Sequence, residues 1–160
     1  MCPLDTSLHH KPMKQNILAS LIIIIATLVL TGCGDSTVPP TQLPEAITSF
    51  AKEHFPQEAI TYAIKERKIY GTKYHIELVN GAKIEFDSDN VWDRIDCQNQ
   101  PVPSTVVPMA ITAYTQSNYP SIAIVVIDKE NHGYEVALID GTELTFNEHG
   151  AIINTDNSNR

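Results

Sequence analysis

Cysteine, basic residues and long apolar runs are all scarce in this sequence, and each shortage excludes a class of protein. Only 3 cysteines occur among 160 residues, so a hydrophobic core rather than a disulfide framework must hold the fold. The chain carries 11 Lys and Arg residues against 19 Asp and Glu residues. This acidic balance argues against nucleic acid as a partner, because phosphates require a basic surface.

The apolar run near the N-terminus is too short for a typical transmembrane helix. From Leu18 to Leu30 it has 30 − 18 + 1 = 13 positions, whereas a bilayer core needs about 20 apolar residues. A short basic start at Met13-Lys14 precedes the run, as in a secretory signal. We therefore predict that residues 1–32 are a leader and lipoprotein signal peptide. Whether translation starts at Met1 or Met13 stays open.

Cys33 ends this export signal. The sequence Leu30-Thr31-Gly32-Cys33 resembles the lipobox of bacterial lipoproteins, in which the thiol receives diacylglycerol and the chain is cut before the cysteine. The resemblance implies a membrane anchor through lipid on Cys33, which palmitate labelling would detect. Gly34 rather than aspartate follows the cysteine, which favours the outer membrane by analogy with enterobacterial sorting. The face of the membrane, periplasmic or surface, stays open.

The chain that remains after cleavage is strongly acidic. It keeps 9 of the 11 basic residues and 18 of the 19 acidic residues, because Lys11, Lys14 and Asp5 are lost, and its net charge is 9 − 18 = −9. Such a charge argues against attraction to anionic lipid, so lipid on Cys33 is predicted to be the sole membrane contact. Residues 33–42 are polar and contain prolines, which predicts a short lipidated tether.

Two similar segments make up the rest of the chain. Residues 43–50 are echoed by residues 107–114, with Pro44 and Pro108 at an offset of 108 − 44 = 64. Further on, the offset between the Gly81 and Gly141 turns is 141 − 81 = 60. The second copy is therefore shorter by 64 − 60 = 4 residues between its first two predicted strands. Matches in the same order at steady offsets indicate a tandem repeat.

Each copy is predicted to contain one helix followed by four strands. Apolar residues recur at helical spacing after Pro44 and Pro108, and proline suits the start of a helix. Alternation of period two follows, and Asn80-Gly81 and Asp140-Gly141 are strong signals for hairpin turns.

These elements predict an α+β fold. We expect two tandem α-β-β-β-β repeats, at residues 43–97 and 104–156, that form one roughly eight-stranded antiparallel sheet with both helices on one face. A unit of this size buries little core by itself, so the repeats are expected to share one.

The repeated pattern, in which Tyr precedes an Asn-Gly or Asp-Gly turn and Phe follows it (Phe86 and Phe146), resembles the PepSY-like, beta-lactamase-inhibitor-like family. The resemblance covers about residues 43–156. It implies an exported protein, commonly a lipoprotein, with the sheet of beta-lactamase inhibitory protein, whose open face grips its target. Asn90 departs from the glycine usual in the family, although asparagine also tolerates positive φ. No inhibitory loop matches residue by residue.

Candidates for catalysis or metal binding are few. The histidines are scattered without a zinc-ligand spacing, and Asp87, Asp89 and Asp93 lack the glycine and glutamate of a calcium loop, so a solvated turn is the preferred interpretation. A nucleophilic role for Cys97 is less favoured than a strand cysteine. We therefore predict no enzyme, no cofactor and no metal.

The sheet face away from the helices is the candidate binding face. Alternation along the predicted strands assigns to it the following residues: Lys65, Arg67, Lys73, His75, Lys83, Val125, Ile127, Glu135 and Glu143. Trp92 is either an interface anchor or a core residue. A solvated face remains an alternative interpretation, although exposed Val and Ile would favour a covering partner.

The predicted function is that of a non-catalytic, membrane-anchored cell-envelope lipoprotein that binds a protein or peptide through this face. Inhibition is one form that such binding could take. The alternatives are a structural or stress-related envelope lipoprotein, and a small-ligand or metal binder.

Overall fold

The computed structural model describes residues 34–157, which form one nine-stranded antiparallel sheet and two helices. The strands lie side by side in chain order. They are β1 (Ser36–Thr37), β2 (Ile60–Lys68), β3 (Gly71–Leu78), β4 (Lys83–Phe86), β5 (Trp92–Asp96), β6 (Ile124–Glu130), β7 (Gly133–Leu138), β8 (Thr142–Asn147) and β9 (Ile152–Asn157). The helices are α1 (Glu45–His54) and α2 (Met109–Asn118). The predicted α+β fold class is confirmed.

The two helices begin and end in the same way. Pro44 and Pro108 stand at the N-cap positions, where a missing N–H costs nothing. At the other ends, the backbone N–H of Phe55 donates to Ala51 and that of Tyr119 donates to Thr115, each over 2.8 Å. A proline follows each of these aromatic residues, so neither helix can continue.

Both predicted hairpin turns are present. Gly81 has φ 85° and Gly141 has φ 87°, values that favour glycine. In the first turn the side chain of Asn80 accepts a hydrogen bond of 3.0 Å from the backbone N–H of Ala82. In the second, Asp140 accepts the same bond from Thr142 at 3.0 Å. These side chains complete the turns in place of further backbone bonds.

One hydrophobic core joins the two copies. Both helices bury their apolar residues against the same face of the sheet, which we call the covered face. Phe50 of α1 meets Phe86 edge-on at 5.5 Å, and Tyr114 of α2 meets Phe146 at 5.4 Å. Where the copies meet, β5 pairs with β6, and Ile95 lies opposite Ile127. The shared core agrees with the expectation that neither copy is self-sufficient.

The start of the predicted tether belongs to the sheet. Ser36 and Thr37 pair with Lys65 and Ile64 of β2, and a 3₁₀ turn at Pro40–Gln42 leads into α1. This edge strand raises the strand number from the expected eight to nine. Cys33 and the predicted signal peptide, residues 1–32, lie outside the described residues.

A bulge at the start of each copy reverses the alternation that the sequence suggested. In β2 the register shifts between Ile60 and Tyr62, and in β6 it shifts between Ile124 and Val126. One extra residue in a strand moves every later side chain to the other face. Because the shift occurs near the beginning of both strands, most of each strand is affected.

Four of the predicted face residues were therefore misplaced. Ile127 is fully buried in the core, and Val125 is the buried bulge residue itself. Lys65 pairs with buried Tyr74, and its Nζ lies 5.9 Å from that ring's centroid. Arg67 follows two positions on, opposite Thr72, on the covered side of the strand.

Candidate functional site

The opposite face of the sheet is covered by no helix or strand within residues 34–157, and we call it the open face. Its side chains alternate with the buried ones. They are Tyr62, Ile64 and Glu66 in β2; Lys73, His75 and Glu77 in β3; Lys83 and Glu85 in β4; Arg94 and Asp96 in β5; Val126 and Asp128 in β6; Glu135 and Ala137 in β7; Glu143 and Thr145 in β8; and Asn154 and Asp156 in β9.

In the first copy the open face carries charges of both signs in contact. His75 lies between two carboxylates, with Nε2 3.4 Å from Glu66 and Nδ1 3.6 Å from Glu85. Lys73 donates a 2.9 Å hydrogen bond to Asp93, and this bond raises the pKa of the Lys73 ammonium. In this half of the face, basic side chains therefore contact acidic ones.

In the second copy the open face forms an acidic depression of about 480 Å³. Its charged lining consists of four carboxylates, those of Asp128, Glu135, Glu143 and Asp156, and a single cation, Arg94. The side chains of Val126, Ala137 and Thr145 also line it. We call this feature the acidic depression.

Arg94 belongs to the first copy and reaches across the seam between the copies. Its guanidinium is hydrogen-bonded to Asp128, and Nη2 lies 3.8 Å from Asp96. It therefore compensates the carboxylate at one end of the acidic depression. No ion pair is found for Glu135, Glu143 or Asp156 among the described contacts.

The contrast between the copies follows from a few equivalent positions. At an offset of 60, His75 corresponds to Glu135 (135 − 75 = 60) and Lys83 corresponds to Glu143 (143 − 83 = 60). Arg94 corresponds to Asn154 (154 − 94 = 60). At the same offset, Glu77 and Glu85 of the first copy correspond to Ala137 and Thr145. The second copy is therefore acidic on this face because glutamates stand where the first copy has His75 and Lys83, and not because it keeps the acidic residues of the first.

Five of the predicted face residues lie on the open face: Lys73, His75, Lys83, Glu135 and Glu143. That they bind a partner remains a prediction. Sequence reasoning missed Tyr62, Arg94, Asp128 and Asp156. Tyr62 and Asp128 were hidden by the bulges, because runs such as Val125-Val126-Ile127 are apolar at every position and do not show which residue is extra.

The other candidates have structural surroundings. Cys97 is buried, and burial, together with the charge of Asp96, raises the pKa of its thiol to about 11, which makes it a poor nucleophile. Asp87 accepts hydrogen bonds from the N–H groups of Asp89 and Val91, both at 2.9 Å, as expected of a turn. Trp92 is half-buried and packs against the core.

Metal-binding clusters and long apolar helices are both absent from residues 34–157. Residues 34–157 contain no group of three or more histidine, cysteine, aspartate or glutamate side chains arranged to hold a metal ion. No helix in that part of the chain is long and apolar enough to cross a membrane.

The sequence matches a known family over most of its length. Residues 29–80 and 72–154 both fit the family described as "Putative beta-lactamase-inhibitor-like, PepSY-like". This chain belongs to that family. The two matched segments overlap, and each contains one of the helices, in keeping with a tandem repeat.

Solved structures from Bacteroides share the fold. A protein from Bacteroides vulgatus described as a "putative periplasmic protein of unknown function" is 33% identical, with a TM-score of 0.73, over 78% of this chain and 100% of its own. A "putative calcium-regulated periplasmic protein" from Bacteroides thetaiotaomicron is 33% identical, with a TM-score of 0.73, over 77% of this chain and 97% of its own. A second protein from Bacteroides vulgatus, also described as a "putative periplasmic protein", is 35% identical, with a TM-score of 0.72, over 77% of this chain and 97% of its own. No curated protein matches this chain.

Proposed function

We propose that this protein is a lipid-anchored, non-catalytic binding module of the cell envelope, and that the acidic depression binds a cationic segment of a protein or peptide. Lipid on Cys33 would hold it at the membrane, with the outer membrane as the expected site. The similarity to proteins described as periplasmic and the lipobox-like Leu30-Thr31-Gly32-Cys33 both support a cell-envelope location.

The observation that carries the binding proposal is the excess of carboxylates in the acidic depression. Like charges close together repel one another, and a partner that brings Lys or Arg side chains would relieve this repulsion. Because Glu135 and Glu143 are exposed, they are accessible to such a partner. The neighbouring Val126 and Ala137 offer apolar surface for the stems of long basic side chains.

The surroundings of the candidate reactive groups favour binding over catalysis. The Cys97 thiol is buried and its pKa is raised to about 11, so little thiolate forms near neutral pH. His75 lies between Glu66 and Glu85, without a serine, threonine or cysteine among its described contacts. An enzyme needs an activated nucleophile or an acid–base pair beside a substrate site.

Charge exchange between the copies tests the binding site. The change Glu135→His with Glu143→Lys gives the second copy the residues of the first, and should abolish the capture of envelope proteins by the purified full chain. The matched control, His75→Glu with Lys83→Glu, makes the corresponding change in the first copy and should preserve capture. Equal capture by both variants and by the wild type would contradict the proposal.

The salt dependence of capture provides a second criterion. Contacts between exposed charges weaken as ionic strength rises, so capture by the wild type should fall steeply between low and high salt. If no protein is captured and the chain instead gives a clear calorimetric isotherm with Ca²⁺, the proposal of a protein partner fails and a metal binder takes its place.

The lipid anchor needs a separate test. Cells that express the full chain and are fed radioactive palmitate should label the wild type but not Cys33→Ala. Both proteins are then fractionated, and the wild type should sediment with membranes while the variant is released. An unlabelled wild type would contradict the proposed lipid anchor but would not affect the proposal that the acidic depression binds a partner.

A further inference from the structure

The last strand, β9, forms an edge of the sheet that has no neighbour on its outer side within residues 34–157. It pairs with β8 and stands at the end of the strand order. Its residues from Ile152 to Asp156 are all exposed. An edge strand carries a row of backbone N–H and C=O groups that can pair with another chain.

The equivalent strand of the first copy shows that such an edge can accept a strand. At the offset of 60, β5 corresponds to β9 (152 − 92 = 60), and the outer edge of β5 pairs with β6 through Arg94, Ile95 and Asp96. Both β5 and β9 carry a bulge at the same place, opposite the strand that precedes them. The bulge therefore does not prevent a further strand from pairing.

Thr155 directs its backbone groups to the outer edge of β9. In the first copy the N–H of Cys97 donates a 2.9 Å hydrogen bond to Val125 of β6. Alternate residues of an antiparallel strand bond to the same neighbour, so Ile95 also faces β6. Because Thr155 is the equivalent of Ile95 (155 − 95 = 60), its N–H and C=O point away from β8.

The acidic depression continues to this edge. Asn154 and Asp156, the residues on either side of Thr155, both line it. A strand added beside β9 would direct every second side chain over the open face. At the seam between the copies, Arg94 of β5 meets Asp128 of β6 in this way. Because β9 has Asn154 in place of Arg94 and lies among carboxylates, the complementary side chain on an added strand is basic.

A second copy of this chain is a poor occupant of the edge. On β2, Thr37 lies opposite Ile64, and the N–H of Val38 donates a 3.0 Å hydrogen bond to Ala63. The segment that contains β1 thus occupies on β2 the place that β5 occupies on β6, which blocks head-to-tail pairing. Two β9 strands paired with each other would bring together two copies of Asp156, and such like charges repel.

We infer that β9 accepts an extended, basic segment of the partner as an additional antiparallel strand, with Lys or Arg at every second position directed into the acidic depression. The inference rests on the function proposed above and specifies how the partner is held. Backbone hydrogen bonds along β9 would contribute affinity for any extended chain, whereas the carboxylates would select the basic ones.

A proline at the outer edge tests the protein side of this pairing. In the full chain, Thr155→Pro removes the outward N–H but no donor to β8, and proline is tolerated on an edge strand. The matched control is Thr155→Val, which keeps the N–H and the β-branched shape. Circular dichroism establishes that both variants are folded.

The probe is a fluorescent octapeptide of alternating lysine and threonine, blocked at both ends, whose binding is measured by anisotropy at low salt. The wild type and Thr155→Val should bind it equally, and Thr155→Pro should bind it at least about tenfold more weakly.

Modified peptides test the same bonds on the unaltered protein. With the lysines in the depression, the threonine N–H groups face β9, so methylation of those backbone nitrogens should also weaken binding at least about tenfold. Methylation of the lysine backbone nitrogens, which face away from β9, should have little effect.

The possible failures are distinguishable. Undiminished binding to Thr155→Pro, and of the peptide methylated at threonine, would overturn the inference. If Glu135→His with Glu143→Lys still abolished that binding, the proposed function would stand. A wild type that binds no lysine-containing peptide would contradict both. If sedimentation shows that the wild type self-associates and Thr155→Pro does not, a second copy occupies the edge and the inference is wrong.

Discussion

Phe86 and Phe146 occupy equivalent places in the two copies, and each meets an aromatic ring of its own helix edge-on. On the other side of the same strands, Lys83 and Glu143 are also equivalent but carry opposite charges. The two copies have therefore kept the side chains that pack together and changed those that face outward. Packing constrains the volume and shape of a buried side chain. An exposed side chain can change without disturbing the core, and so can be selected for function.

The largest effect expected from this comparison concerns the shared core. Phe86→Ala and Phe146→Ala should each destabilise the chain by about 3–5 kcal/mol, because each leaves a cavity in a packed interior. Since β5 and β6 pair across the seam, both variants should unfold in a single transition at a lower temperature. Calorimetry and circular dichroism would measure it.

Separate melting of one copy would contradict the prediction that both copies unfold in a single transition. A variant at an exposed apolar position, Val79→Ala, provides the control, because Val79 is 64% exposed and its truncation should change stability little. If Phe146→Ala unfolded only β6 to β9 while β2 to β5 stayed folded, the two copies would be independent domains.

A smaller effect is expected at the turn that differs between the copies. Asn90 and Gly150 both have positive φ, 62° and 76°, but a Cβ at Gly150 would lie 2.7 Å from the Cβ of Ala110 in α2. Gly150→Asn should therefore cost about 1–3 kcal/mol through overpacking and backbone strain. Asn90→Gly should change the free energy of unfolding by less than about 1 kcal/mol. Denaturant titration would show whether the two substitutions differ, and equal effects would mean that the contact with α2 is unimportant.

The smallest effect concerns a thiol that only the first copy contains. The pKa of Cys97 is raised from its ordinary value of 9.0 to about 11, so the folded chain holds this proton more tightly than the unfolded chain does. The stabilisation is complete below pH 9 and is lost as pH rises toward 11, by about 1 kcal/mol at pH 10. Cys97→Ala should remove this part of the alkaline decline. An unchanged decline in the variant would mean that other groups cause it.

Local patterns predicted much of the fold. Proline positions and apolar spacing identified both helices, and the Asn80-Gly81 and Asp140-Gly141 turns identified two hairpins, because these features depend on residues close together in the chain. The repeat then implied one sheet with a shared core. Five of the predicted face residues were also assigned to the correct face of the sheet, because strands β3, β4, β7 and β8 alternate without interruption through those positions.

Other features depended on contacts between distant residues. The edge strand Ser36–Thr37 forms only because β2 offers it free backbone groups. The bulges in β2 and β6 depend on how those strands pair with β3 and β7, and they moved Lys65, Arg67, Val125 and Ile127 away from the face that alternation had assigned to them. The sequence pattern of one strand does not determine the register in which that strand pairs with its neighbour.

The sequence by itself predicted an export signal that ends at Cys33 and indicated the tandem repeat and the excess of acidic residues, because each of these is a property of composition or local order. The tertiary structure decided that four carboxylates from β6, β7, β8 and β9 share one depression. It also decided that Ser36 and Thr37 join the sheet as an edge strand beside β2. Both depend on strand pairing, which brings together residues that are far apart in the sequence.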